Sequence, residues 1–406
     1  MIASADVVDR KSRANVLRLA SAQALAGANA SVIFATGSII GSSLAPSPAM
    51  ATVPISVFVV GMAAGTLPTG WIARRHGRRM AFLAGGTCGA LAGLVGALAL
   101  LAQSFPIFCL ATLFAGFYGA TVQSFRFAAA DGASPAFRPR ALSWVMAGGV
   151  FAGVLGPQLV TWTMDLWSPH IFVASYLAQA GVALVAMAVL SGVDLPPLTR
   201  AEVARGRPLG VLARQPRFLV AVVCGVVTYT LMNLVMTSAP LAMRMCGLPI
   251  TASNTAIQWH VVAMYAPSFF TGALIARLGA HRVVAIGMVL LAAAGCVGLS
   301  GITAAHFVVA LILLGIGWNF GFVGASALVL ETHRPEERTR VQSFNDFLVF
   351  GTMAIGSFSS GGLLTGYGWA AVNWVVFPPI LLALILLTTV WLRRDAAARN
   401  APTGSA

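Results

Sequence analysis

Stretches of about twenty apolar residues recur along this chain at near-regular intervals, each long enough to cross the hydrocarbon core of a bilayer as a helix. Twelve can be counted, at about 16–40, 50–73, 80–102, 106–129, 140–163, 170–191, 217–241, 252–276, 283–304, 307–330, 342–366 and 370–392. Only 9% of the 406 residues are charged, against about a quarter in soluble domains, so the chain is read as an all-α membrane protein. No cleavable signal peptide is expected ahead of the first span.

The net charge of +14 would suit a nucleic-acid partner, but the placement of the charges argues against one. Basic clusters fall before span 1, after spans 2, 4, 8, 10 and 12, and in the middle of the chain, which puts 24 of 25 Lys and Arg on one side. Arg244 alone falls on the other. The bias of basic residues toward the cytoplasm then predicts that both termini are cytoplasmic. Arg126, with Arg138 and Arg140, falls around the connection between spans 4 and 5. No carboxylate is expected at mid-membrane depth.

The segment 195–215 is polar, basic and Pro-containing, and predicts a cytoplasmic linker between two six-helix halves, 1–194 and 216–406. An internal repeat supports the division. Thr69-Gly70 followed by Gly77 recurs, at an offset of 202, as Thr271-Gly272 followed by Gly279. Parallel repeats with a substrate site between them describe a secondary transporter rather than an enzyme, with no catalytic residues and no bound cofactor. The glycines of spans 5 and 10 are read as close helix packing. Gln123, Asn233, Gln258 and Asn319 are expected to hydrogen-bond between helices.

One region stands out chemically. Five of the 14 methionines, at 232, 236, 243, 245 and 264, fall within 33 residues, where an even spread would place about one. Met232 and Met236 are four apart and share a helix face, as do His260 and Met264. Methionine commonly fills gaps in apolar cores, and a lone pair is most simply packing. An imidazole deep in a span is costly and marks function, and thioether with imidazole is a donor set suited to copper. Cys88, Cys109 and Cys296 read as packing residues, and Cys224 lies on the inner part of span 7. Met243, Met245 and Cys246 are expected in the outer loop after it.

The segment from Gly70 to Arg79 resembles the 2–3 loop motif of the major facilitator superfamily, matching at Gly70, Arg75, Gly77, Arg78 and Arg79 and departing at Arg74, where that family has Asp. Asp346 is a candidate partner for Arg74. The resemblance implies twelve helices in two halves related by a pseudo-two-fold axis, with the 2–3 loop acting as a gate. The pair of motifs MxxxM and HxxxM, flanked by Cys224 and Cys246, resembles the copper-importing, CcoA-type branch. That resemblance implies copper as cargo for assembly of a cbb-type cytochrome c oxidase, in a bacterial inner membrane. It implies Met232, Met236, His260 and Met264 as metal-binding residues, and Cys224 and Cys246 as relay groups; Met243 and Met245, by their expected place in the outer loop, join them as soft donors that collect the ion. The bilayer and a cytoplasmic copper chaperone or exporter are the implied partners, and the chain is expected to be a monomer. A related branch carries riboflavin, for which Trp259 and Tyr265 are the natural stacking groups. A third expectation is a non-transporting copper sensor or assembly partner.

Overall fold

A computed structural model describes residues 2–47, 50–51, 53–195 and 207–399, all helix, turn or loop with no strand among them. Most of the linker expected over 195–215 lies outside the described residues.

The first six spans are Ile2–Leu44, Val53–His76, Arg78–Leu101, Phe105–Asp131, Arg138–Thr163 and Val173–Ser191. After a short turn of helix at Leu209–Ala213, span 7 is Pro216–Met245. Span 8 is divided into Ile250–Tyr265 and Ser268–Leu278, with Pro267 at the break and a 42° bend across it. Proline supplies no N–H and its ring crowds the preceding turn, so the helix parts there. Spans 9 and 10 are Ala280–Ser300 and Ala304–Leu330; span 11 lies within Arg338–Trp374, and span 12 follows in Phe377–Arg399. Gly368, with φ of 80° and ψ of 176°, marks the turn between the last two. Ten helices among the described residues are long and apolar enough to span a membrane, and the bent pair makes an eleventh. Span 11 completes the twelve-span fold; Gln342, Asn345 and Asp346 make its first turns polar.

Span 7 extends further than the sequence suggests. Met243 and Met245 lie in its last turn, not in a loop, and Cys246 is its C-cap. The run of helix-tolerant residues after Pro240 carries the helix on.

The two halves repeat one another. Span 1 packs on span 5, and span 2 on span 4, as 7 packs on 11 and 8 on 10. Gly77 and Gly279 adopt nearly the same backbone, φ 87° and ψ 162° against φ 84° and ψ 149°, a region open essentially to glycine alone. Between the halves, span 2 lies against span 11 and span 5 against span 8, again related by the repeat. Apolar contact alone does not drive helices together in lipid, so close approach through small residues matters. A Cβ on Gly70 would overlap the Ser343 hydroxyl and stand 2.5 Å from its Cβ. One on Gly272 would lie 2.6 Å from the Pro139 carbonyl oxygen. The repeated Thr-Gly pair therefore sits where each half touches the other.

Candidate functional site

The expected metal residues are drawn into the interior of the C-terminal half. Met232, Met264 and Cys224 are buried, and Met236 and Cys246 are half-buried. Met243 is buried, whereas Met245 in the same turn is 60% exposed. His260 is fully buried, and its Nδ1 lies 2.7 Å from the Leu311 carbonyl of span 10. A carbonyl only accepts, so Nδ1 carries the proton and donates. Nε2 has no protein partner. No group of three or more His, Cys, Asp or Glu able to hold a metal is found among the described residues. Asn319 braces the break below: it donates to the Met264 carbonyl and the Ser268 hydroxyl, both at 2.6 Å, and accepts from the Thr271 hydroxyl at 2.7 Å.

At the seam between the halves the structure assembles a different set of groups. Tyr229 of span 7 meets Trp318, Phe322 and Phe350 edge-on, with ring centroids 5.4, 4.9 and 5.4 Å away. Tyr265, just above the break in span 8, meets Trp318 at 5.6 Å. Four helices of one half thus contribute to one aromatic cluster, and edge-to-face geometry suits each pair. The other half closes on it. Gln123 of span 4 donates to the Tyr229 hydroxyl at 3.2 Å, and Gly149 of span 5 leaves room for the Tyr265 ring. Polar atoms here lack protein partners: the Trp318 indole N–H, Asn233 Nδ2 and the Thr228 hydroxyl are all buried without one. Unpaired buried donors are costly and point to a ligand or water. Trp259, expected as a stacking group, is 52% exposed and off this cluster, while Tyr265 belongs to it. Gln258 is likewise exposed.

Beneath the aromatic cluster, toward the end that carries the basic clusters, lies an ion pair. Arg126 Nη2 stands 2.6 Å from Asp346 Oδ1. Arg126 also donates to the Ser326 hydroxyl at 3.1 Å, and its guanidinium lies 4.4 Å from the Phe127 ring centroid and 4.6 Å from that of Phe322. Asn345 donates to the same Asp346 oxygen at 3.0 Å. Asp346 thus pairs with Arg126 and not with Arg74, which corrects that expectation. Arg126 lies within span 4, fully buried near its end. Asp346 sits eight residues beyond Arg338, about 12 Å along the helix, near the start of span 11. Closer to the surface, Arg78 pairs with Asp131 at 2.6 Å and also donates to Gln342, which donates in turn to Asp131 at 3.1 Å. Of the five motif residues, Gly70, Gly77 and Arg78 thus form or support the closure between halves. Arg75 lies over the Trp71 ring, and Arg79 lines a surface crevice.

A chain of twelve spans in two repeated halves, meeting around an aromatic and ionic seam, has the build of a secondary transporter. The family model of the Major Facilitator Superfamily matches residues 19–264 and 223–406, and the chain belongs to that superfamily. It is 46% identical over 389 residues to the riboflavin transporter RfnT of Brucella anthropi, covering 95% of this chain and 98% of that one. It is 30% identical to the uncharacterized transporter YdeG of Bacillus subtilis, over 91% of this chain and 90% of that protein. Among solved structures, the human organic anion transporter MFSD10 superposes with a TM-score of 0.75 at 16% identity, covering 93% of this chain and 99% of that one. A bacterial homologue of the iron transporter ferroportin, in an outward-facing state, superposes with a TM-score of 0.70 at 16% identity, covering 92% and 98%. These structural likenesses describe the fold. The copper-importing branch finds no support among these relatives, and the sequence likeness favours the riboflavin alternative.

Proposed function

We propose that this transporter imports riboflavin, or a flavin-sized planar heterocycle like it, across the cytoplasmic membrane. The observation that carries this reading is the 46% identity, over nearly the full length of both chains, to a riboflavin transporter. The seam supplies matching chemistry. Tyr229, Tyr265, Trp318 and Phe350 offer ring faces and edges to an aromatic plane. The unpaired donors of Trp318 and Asn233 face the need of a dicarbonyl ring edge for hydrogen-bond donors. In this reading the basic end is cytoplasmic, and the closure at that end leaves the site to be loaded from outside. Copper import is the competing reading, resting on Met232, Met236, His260 and Met264. The test is initial uptake of radiolabelled riboflavin, and of radioactive copper, into cells with and without the gene. Riboflavin uptake is expected to rise with the gene and to collapse in Trp318→Ala, with copper uptake unchanged. Gene-dependent copper uptake without riboflavin uptake would overturn the proposal.

A further inference from the structure

We infer that a crevice at the basic end of the N-terminal half binds the phosphate headgroup of an anionic phospholipid. The crevice encloses about 420 Å³ between the turn joining spans 2 and 3 and the end of span 6. His76, Arg79 and Met80 line one wall and residues 191–195 the other. Gly192, on that second wall, has no side chain, and the Arg18 Nε lies 3.3 Å from where its Cβ would stand. His76 and Arg79 thus line the cavity, with Arg18 beside its Gly192 wall. Asp194, also on the wall, has a partner within the protein, and its backbone is pinned by Asn15 through bonds of 2.8 and 3.2 Å.

The repeat makes the cavity conspicuous. At the offset of 202 that relates Gly77 to Gly279, Arg79 corresponds to His281. In the C-terminal half His281 stacks on Trp391 of span 12, with centroids 5.0 Å apart and planes 24° from parallel, and Arg282 lies 5.8 Å from the same indole centroid. In one half an aromatic ring of the last span covers this turn; in the other a crevice lies there, with Arg79 and His76 on its wall.

The position favours a lipid over a soluble anion. Trp71, 48% exposed with the Arg75 guanidinium 5.5 Å from its ring centroid, marks the headgroup level on the neighbouring surface. From the crevice, Met80, Leu91, Leu94 and Leu98, between 38% and 54% exposed, run up one face of span 3. That stripe would lie along acyl chains while the arginines hold the phosphate, as basic pockets do for anionic headgroups.

The experiment is native mass spectrometry of the full-length protein released from bilayers of phosphatidylglycerol and phosphatidylcholine. The wild type is expected to retain phosphatidylglycerol selectively. Arg18→Gln and Arg79→Gln should each lower that retention about fivefold, while Arg79→Lys and, in the C-terminal half, Arg282→Gln should preserve it. Ser191→Trp should abolish retention with every charge intact, because Ser191 lines the crevice and an indole there would fill it. Unchanged retention in both Ser191→Trp and the Arg18→Gln/Arg79→Gln double variant would overturn the inference. Displacement of the lipid by millimolar inorganic phosphate or glycerol 3-phosphate would also overturn it, in favour of a soluble phosphate.

Discussion

Arg126 of span 4 and Asp346 of span 11 meet at 2.6 Å with side chains 0% and 5% exposed, although they belong to opposite halves of the molecule. Any movement that opens the basic end must part them. Gly70 against Ser343 and Arg78 against Asp131 and Gln342 close the same side nearer the surface, so the ion pair is the inner of two layers.

The pair predicts an asymmetry between single and double variants. Removing one partner leaves the other charged and buried, at a cost of about 3–5 kcal/mol, whereas replacing both with apolar groups is often neutral. Asp346→Leu is therefore expected to lower the melting temperature and abolish uptake. Arg126→Met/Asp346→Leu should recover the melting temperature but not transport, since the gate then lacks its polar latch. Thermal melting in detergent and initial riboflavin uptake are the two readouts. Wild-type uptake by either single variant would show that the pair is not part of the gate.

Gly70 predicts a steric test of the outer layer. Overpacking costs about 1–3 kcal/mol, and at Gly70 it falls on the contact between spans 2 and 11. Gly70→Ala should weaken the closure and slow uptake, and Ser343→Gly should restore much of the rate in the same chain by vacating the space. Gly272→Ala, facing the Pro139 carbonyl across the related contact, should slow uptake without being rescued by Ser343→Gly. Equal rates in Gly70→Ala and wild type would mean that spans 2 and 11 need not meet so closely.

Much of this architecture is legible in the sequence because the bilayer imposes it: apolar runs, the basic bias and the Thr-Gly repeat all follow from spans, topology and duplication. The seam was legible only in fragments. Arg126 is followed by Phe-Ala-Ala-Ala, a sign that the helix continues past the charge, but a single arginine near a basic cluster reads equally well as part of it. Asp346 is followed by Phe-Leu-Val-Phe, with the same ambiguity. Trp318, Tyr229 and Phe350 carry no spacing signal at all, since they converge from three helices. The methionine and histidine spacings were visible because they are local, and local spacing says which residues share a helix face but not which neighbour that face meets.

The contact between the linker and the loop before span 11 predicts a pH dependence. Arg207 holds Glu337 through paired bonds of 2.7 Å, Nε to Oε1 and Nη2 to Oε2, and the Arg207 and Arg334 backbone N–H groups donate to the same carboxylate at 2.9 and 3.0 Å. Hydrogen bonding from Arg207 foremost holds the Glu337 carboxyl down at about 2, below its ordinary 4.5. A carboxyl depressed in the folded state contributes stability that is complete above its unfolded value and lost as pH falls toward the folded one. The melting temperature of wild type should thus fall between about pH 4.5 and 2 more steeply than that of Glu337→Gln, which starts lower at pH 7. Parallel profiles for the two proteins would remove Glu337 from the account.

The methionines and His260 allow the two transport readings to be separated in one series. Met232 and Met264 are 2% and 6% exposed and pack in the main apolar core. If they are packing groups, truncation to Ala costs about 2–5 kcal/mol through lost contact and a cavity, while Leu, close in volume, costs less than about 1.5 kcal/mol. If they are copper ligands, Leu is as damaging as Ala, because both lack the sulfur. His260 adds a second contrast: its Nδ1 is committed to the Leu311 carbonyl, so His260→Asn can keep a donor there while giving up the imidazole. The expected result is that Met232→Leu/Met264→Leu retains riboflavin uptake and melting temperature, and that the Ala pair loses both. Radioactive copper accumulation should match the empty-vector level in every variant and in wild type. Copper accumulation above that level in wild type, lost in the Leu pair and in His260→Asn, would reinstate the metal reading and assign these residues to the cargo.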